Sequence, residues 1–154
     1  MSRRDIIRMT DDEVSEFIGG RRTMNVATIG PDGNVHLIAM WYGFLDGKPA
    51  FETYAKSQKV LNIERDPRVT VLIEAGDQYD QLRGVELVGT AEIVRDDERK
   101  TKIAASVVER YWDFGDDPAA IELAVANLVN KRVGIVITAD KVVSWDHRKL
   151  GGTY

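Results

Sequence analysis

Apolar residues recur along this chain with two periods, and the places where one gives way to the other outline its elements. Thr10-Asp11-Asp12-Glu13 has the form of a capping box, in which hydroxyl and carboxylate satisfy reciprocal backbone N–H groups. Val14, Phe17 and Ile18 follow at helical spacing and Gly19-Gly20 stops them, which predicts an N-terminal amphipathic helix over 10–19. Strand-like runs come next. Met24–Ile29 leads into Gly30-Pro31-Asp32-Gly33, with proline and glycine where a type I turn and bulge want them. Val35–Leu45 is a long, mostly apolar run closed by Asp46-Gly47, a type I′ hairpin pair, and Ala50–Thr53 pairs back. The economical arrangement is a three-stranded antiparallel meander.

Ser57 is placed to cap a helix with Val60, Leu61 and Ile63 as its stripe. This helix stops before Pro67, because Asp66 is biased away from the helical region. Val69–Glu74 is strand-like, 76–80 is a polar loop, and Val85–Val94 alternates as another strand. Asp96-Asp97-Glu98 places carboxylates at the positive end of a helix that runs to Tyr111. Asp117-Pro118 opens a second helix, carrying Ile121, Leu123, Ala124, Leu128 and Val129 towards Lys131. A last strand, Val133–Trp145, is interrupted at Ala139-Asp140-Lys141 by a bulge or turn. Residues 146–154 form a polar tail, basic at Arg148-Lys149 and loosened by Gly151-Gly152. Antiparallel strands with helices set aside argue for an α+β fold, a closed or nearly closed barrel of about six strands with peripheral helices. No repeat or linker divides the chain, so 1–154 reads as one domain.

Composition narrows the chemistry. At 154 residues, 44% hydrophobic and 30% charged, the chain suits one folded soluble domain. It has 0 cysteines, which excludes disulfides, thiolate metal sites and cysteine nucleophiles. His36 and His147 are its 2 histidines, too few for a histidine-rich metal site. A net charge of -4 gives no general attraction for nucleic acid or an anionic membrane. No apolar segment follows the charged N-terminus and none approaches the roughly 20 residues that span a bilayer. Walker, nucleophile-elbow and metalloprotease motifs are absent from the sequence. The expectation is a cytoplasmic protein, without metal, whose chemistry comes from a bound organic cofactor.

Three stretches are candidates for holding it. Thr53-Tyr54-Ala55-Lys56-Ser57-Gln58-Lys59 runs from a strand end into a helix start. Unpaired N–H groups and two lysines there suit a phosphate, although a capped helix with solvated lysines has the same pattern. In 35–45, His36, Ile38, Met40, Tyr42 and Phe44 alternate with Val35, Leu37, Ala39 and Trp41, so both faces are bulky. Such a strand is covered twice, by core on one side and by a partner chain or flat ligand on the other; plain core with a dimer interface fits equally. His36 has no orienting carboxylate near it in sequence and makes a weak general base. Trp145-Asp146-His147-Arg148-Lys149 combines an aromatic with cations, fit to stack on an anionic ligand or to form a solvated tail.

The ordered set Val26-Ala27-Thr28-Ile29-Gly30-Pro31-Asp32-Gly33, Phe51-Glu52-Thr53, Lys56–Ile63 with Asp66-Pro67, and Val88–Val94 resembles the flavin- and deazaflavin-binding split β-barrel family that includes pyridoxamine 5′-phosphate oxidase. The tail Val143–Leu150 is similar to that of short members using coenzyme F420, a deazaflavin. The resemblance implies a split-barrel homodimer with cofactor sites across its interface. It places the cofactor phosphate against Lys56, Ser57 and Lys59, beside Thr53, Tyr54 and Ala55. The ring then lies along the backbone of His36, Leu37, Ile38, Ala39 and Met40. Tyr79, Arg83, Trp145 and Lys149 complete the pocket, from the same or the other subunit. Two departures bear on function. The serine-arginine-lysine of the oxidases is Ser57-Gln58-Lys59 here, with Lys56 as a substitute charge. Their C-terminal arginine-leucine pair is missing from His147-Arg148-Lys149-Leu150, which counts against vitamin B6 chemistry. The implied function is an F420-dependent oxidoreductase passing a hydride to an unsaturated, quinone-like or tetrapyrrole acceptor. An FMN-dependent oxidase-like enzyme and a non-catalytic F420 or flavin carrier are the alternatives. No catalytic residue is implied.

Overall fold

A computed structural model describes residues 2–20 and 23–151. Among these it has α1 (Arg3–Ile7), α2 (Asp11–Gly19), β1 (Met24–Ile29), β2 (Val35–Met40), β3 (Gly43–Leu45), β4 (Lys48–Tyr54), α3 (Gln58–Arg65), β5 (Arg68–Ala75), β6 (Arg83–Val94), α4 (Asp97–Tyr111), α5 (Pro118–Val129) and β7 (Arg132–Asp146). Single 3-10 turns occur at Tyr79–Gln81 and His147–Leu150. All the strands belong to one antiparallel sheet, in the order β2-β1-β5-β6-β7-β4-β3.

The apolar run 35–45 is therefore two strands, not one. Seven strands replace the expected six, and two hairpins replace the meander. The run breaks at Trp41-Tyr42 because side chains take the backbone groups that a ladder would use. Arg110 donates from Nε to the Tyr42 carbonyl at 2.8 Å, and the Tyr42 N–H donates to the Tyr111 hydroxyl at 3.4 Å. The buried Tyr42 ring fixes the corner by donating its hydroxyl to the Ile18 carbonyl at 2.6 Å.

The break sets the shape of the molecule. β2 and β3 are the two edges of the sheet. Laid flat, six strand spacings would separate them by about 29 Å, whereas the chain from Met40 to Gly43 spans at most about 11 Å. The sheet has to curl until its edges approach, and a split β-barrel results. Val26, Val71, Ile73, Phe51, Val85, Ile135 and Ile137 fill its inner face, closed by Phe17 and Ile18 of α2 and by Val60 and Ile63 of α3. On the outer face α4 seals Leu45, Ala50, Val94 and Val136 with Ile103.

The turns follow the local chemistry. Asp46 and Gly47 have φ of 51° and 76°, the two positive values of a type I′ hairpin. β7 stays continuous through 139–141, but its register jumps from Val88↔Lys141 to Gly89↔Ala139, so Asp140 is bulged out. The helix α1, closed by a Ser2–Asp5 capping box, buries no side chain, which explains why no periodicity announced it. The tail is less loose than its composition suggests. Lys149 Nζ pairs with Glu13 at 2.6 Å and donates to the Arg8 carbonyl at 2.9 Å. Residues 152–154 of that tail lie outside the described residues.

Candidate functional site

β4 ends at Tyr54, whose carbonyl accepts from the Ser57 N–H at 2.9 Å to close a turn into α3. Ser57 occupies the N-cap position with extended backbone, yet its hydroxyl makes no capping bond. It turns instead to Thr53, with Oγ1 and Oγ 3.2 Å apart, so the expected side-chain cap is not formed. The first N–H groups of α3 thus keep their anion-seeking character. Lys59, one turn in, is only 8% exposed and donates from Nζ to Thr53 Oγ1 at 2.9 Å. None of the ion pairs among the described residues includes it. Burial pushes its ammonium pKa down. A buried cation without a carboxylate, beside an open helix N-terminus, is a setting that rewards an anion. Lys56 stands exposed at the rim.

α3 also reaches the other half of the expected site. Gln58 Nε2 donates to Asn62 Oδ1 at 2.8 Å, and Asn62 Nδ2 donates to Thr28 Oγ1 at 3.0 Å. Thr28 is the register partner of His36, so His36 stands next to this network on the same face of the β1–β2 ladder. β2 pairs on one side only and offers the polar backbone groups of its free edge. Val35 and Leu37 are 62% and 63% exposed, and Ile38 and Ala39 are exposed as well. Within one chain this strand is partly covered on one face, which leaves the other for the partner chain or flat ligand that its pattern calls for.

Two cations escaped the sequence reading. The Ala55 N–H donates to the Lys131 carbonyl at 3.2 Å, and Tyr54 is the register partner of Arg132. The Arg132 guanidinium lies 4.6 Å above the Tyr54 ring. Only the β4–β7 pairing brings them to this corner, and nothing in the local sequence signals that register. On the same face of β4 as Tyr54, and on the face opposite to that of Thr53, Glu52 is 5% exposed and neither carboxylate oxygen has a hydrogen-bond partner. Burial raises its pKa to about 7, against the pull of Arg132 and Lys100.

The remaining expected residues gather elsewhere. Arg83 pairs with Asp146 and Gly84 with Trp145 at the far end of β7, where His147 Nδ1 lies 2.9 Å from the Tyr79 carbonyl. The Trp145 ring packs against Gly84, where a Cβ would come within 2.1 Å of it. Lys149 is held by Glu13. β7 starts at the Tyr54 corner and runs 15 residues to Asp146, a contour of about 46 Å. Tyr79, Arg83, Trp145 and Lys149 therefore do not join the Lys59 corner of the same chain. Among the described residues no group of three or more His, Asp or Glu is placed to hold a metal, and no helix is long and apolar enough to cross a membrane.

The profile of pyridoxamine 5′-phosphate oxidase matches residues 10–146. None of the curated proteins matches the chain. Among solved structures, a conserved hypothetical protein from Mycobacterium tuberculosis is 47% identical over 100% of this chain and 95% of that one, with a TM-score of 0.91. An F420 reductase is 26% identical over 83% of this chain and 94% of its own, with a TM-score of 0.62. A heme storage protein from Vibrio cholerae is 16% identical, covering 87% and 94% at a TM-score of 0.66, a likeness of fold alone.

Proposed function

Because the chain belongs to the pyridoxamine 5′-phosphate oxidase family, we propose that it is an F420-dependent oxidoreductase whose cofactor phosphate sits at the Lys59 corner. The observation that carries this reading is Lys59 itself, buried without a carboxylate beside the uncapped start of α3. The similarity to an F420 reductase favours the deazaflavin. When bound, reduced F420 supplies the hydride for an unsaturated, quinone-like or tetrapyrrole acceptor.

The chain's own residues bind and orient. Lys59, Ser57 and Lys56 hold the phosphate, and Thr53 aims the Lys59 ammonium. Lys131 and Arg132 add positive potential across the corner. Backbone N–H and C=O groups of 36–40 bond the polar edge of the ring. The proton that accompanies the hydride comes from solvent. The exposed outer side of β2 is covered by a second copy of the chain in a cytoplasmic homodimer. The far-end group Tyr79, Arg83, Trp145 and Lys149 then joins the pocket from that second copy.

The corner also suits the phosphate of FMN, since Ser57 and Lys59 match the oxidase motif, and an FMN-dependent enzyme is the second reading. Incubating the protein with reduced F420 and a panel of quinones, enoates and tetrapyrroles tests for turnover. Acceptor-dependent oxidation of F420 is expected. Tight F420 binding with no turnover across the panel marks a carrier and overturns the enzyme reading.

A further inference from the structure

α5 reads Pro-Ala-Ala-Ile-Glu-Leu-Ala-Val-Ala-Asn-Leu-Val, almost wholly apolar, yet none of its residues is buried. A helix apolar on all sides is normally covered on all sides. Between α4 and α5 lies a groove of ≈ 410 Å³, walled by Ala105, Val108, Trp112, Phe114 and Ile121. Glu109 and Asp113, both exposed, stand on its rim. The groove is reached from β2 over aromatic rings. Trp41 directly follows Met40, is 45% exposed, and stacks on Tyr111 with centroids 4.6 Å apart and planes at 3°. Trp112 meets Trp41 edge-on at 5.0 Å.

We propose that the α4–α5 groove, entered over Trp41, binds the organic acceptor, and that this acceptor is a planar aromatic molecule carrying no negative charge. The role of acceptor rests on the oxidoreductase reading; the selectivity of the groove does not. Its volume falls in the range of small-molecule sites, and its walls are apolar and aromatic, as such sites are. Flat rings gain both buried area and ring–ring contact against Trp41 and Trp112. The two rim carboxylates set the sign of the charge: an anion entering the groove passes between them at a loss. The same carboxylates disfavour a second copy of this chain as the occupant. A symmetric copy whose two-fold axis passes through the groove brings its own Glu109 and Asp113 up to the first pair, like against like.

Menadione and lawsone provide the test. Both are naphthoquinones, but menadione is neutral and lawsone is an anion at neutral pH. The chain's 0 cysteines remove thiol addition as a complication. Calorimetric titration of the protein without cofactor is expected to show menadione binding at least ten-fold tighter than lawsone. Ile121→Glu should weaken menadione at least ten-fold, with F420 affinity as the check on folding. The milder double variant Glu109→Gln/Asp113→Asn should bring lawsone close to menadione. Equal affinities in the wild type, or an unchanged preference in the double variant, overturn the proposal. So does failure to bind menadione together with a change of oligomeric state in Ile121→Glu, which assigns the groove to an interface. Binding with the expected selectivity but no oxidation of reduced F420 supports the groove and contradicts the reductase reading.

Discussion

Glu52 and Lys59 are buried charges on adjacent elements, and neither has an oppositely charged partner in hydrogen-bond contact. Glu52 has a clear consequence for stability. Its ordinary pKa of 4.5 rises to about 7 on folding, so between these values the folded chain holds a proton that the unfolded chain releases. The contribution of Glu52 to stability is then largest below pH 4.5, falls as pH rises towards 7, and stays at its lower level above. Glu52→Gln keeps the neutral form at every pH. It should abolish this fall and stabilise the protein on the alkaline side by up to about 3 kcal/mol. Urea titrations on both sides of the window check this, and parallel pH profiles for the two proteins would exclude Glu52 as the cause. At this scale the sequence was informative where residues are neighbours. Thr53, Ser57 and Lys59 lie within one short stretch, and the structure joins them by hydrogen bonds. Lys131, Arg132 and Trp112 were illegible as neighbours of the site, because strand register and helix packing bring them there from far along the chain.

Among the elements, hairpin turns and helix caps were legible because their chemistry is local: Asp46-Gly47, the Thr10–Glu13 box, and Asp117 ahead of Pro118 all behave as their residue types require. The division of 35–45 was not legible, since the groups that break it belong to α4, almost seventy residues later. Arg110 is the chief of these. It donates to the carbonyls of Tyr42, Gly19 and Gly20 at 2.8, 2.9 and 2.7 Å, and its guanidinium lies 4.7 Å from the Tyr42 ring centre. Arg110→Met should therefore cost about 2–4 kcal/mol, as three carbonyls lose a charged donor at the point where the sheet curls. Lys102→Met on the same helix, which removes only an exposed pair with Glu98, should change stability by less than about 1 kcal/mol. Equal losses in the two variants would show that the corner is not held in this way.

For the whole molecule, the α+β class and the barrel followed from the order of strands and helices. The sheet order did not, because periodicity says which face is buried and not which strand lies beside which. Net charge gives a similarly coarse view: a chain of -4 still gathers Lys56, Lys59, Lys131 and Arg132 around one strand end. The proposed dimer is a property of this scale. Leu37→Glu places a charge in the exposed outer face of β2, and sedimentation should then show monomers where the unmodified chain shows dimers; an unchanged mass would move the interface elsewhere. The cofactor is the centre of the account, and fluorescence titration with F420 and with FMN, on the wild type and on Lys59→Ala, tests it most directly. The wild type should bind F420 more tightly than FMN, and Lys59→Ala should lose about 1.5–3 kcal/mol of F420 affinity while remaining folded. Clear FMN binding with no response to F420, or an F420 affinity indifferent to Lys59, would contradict it.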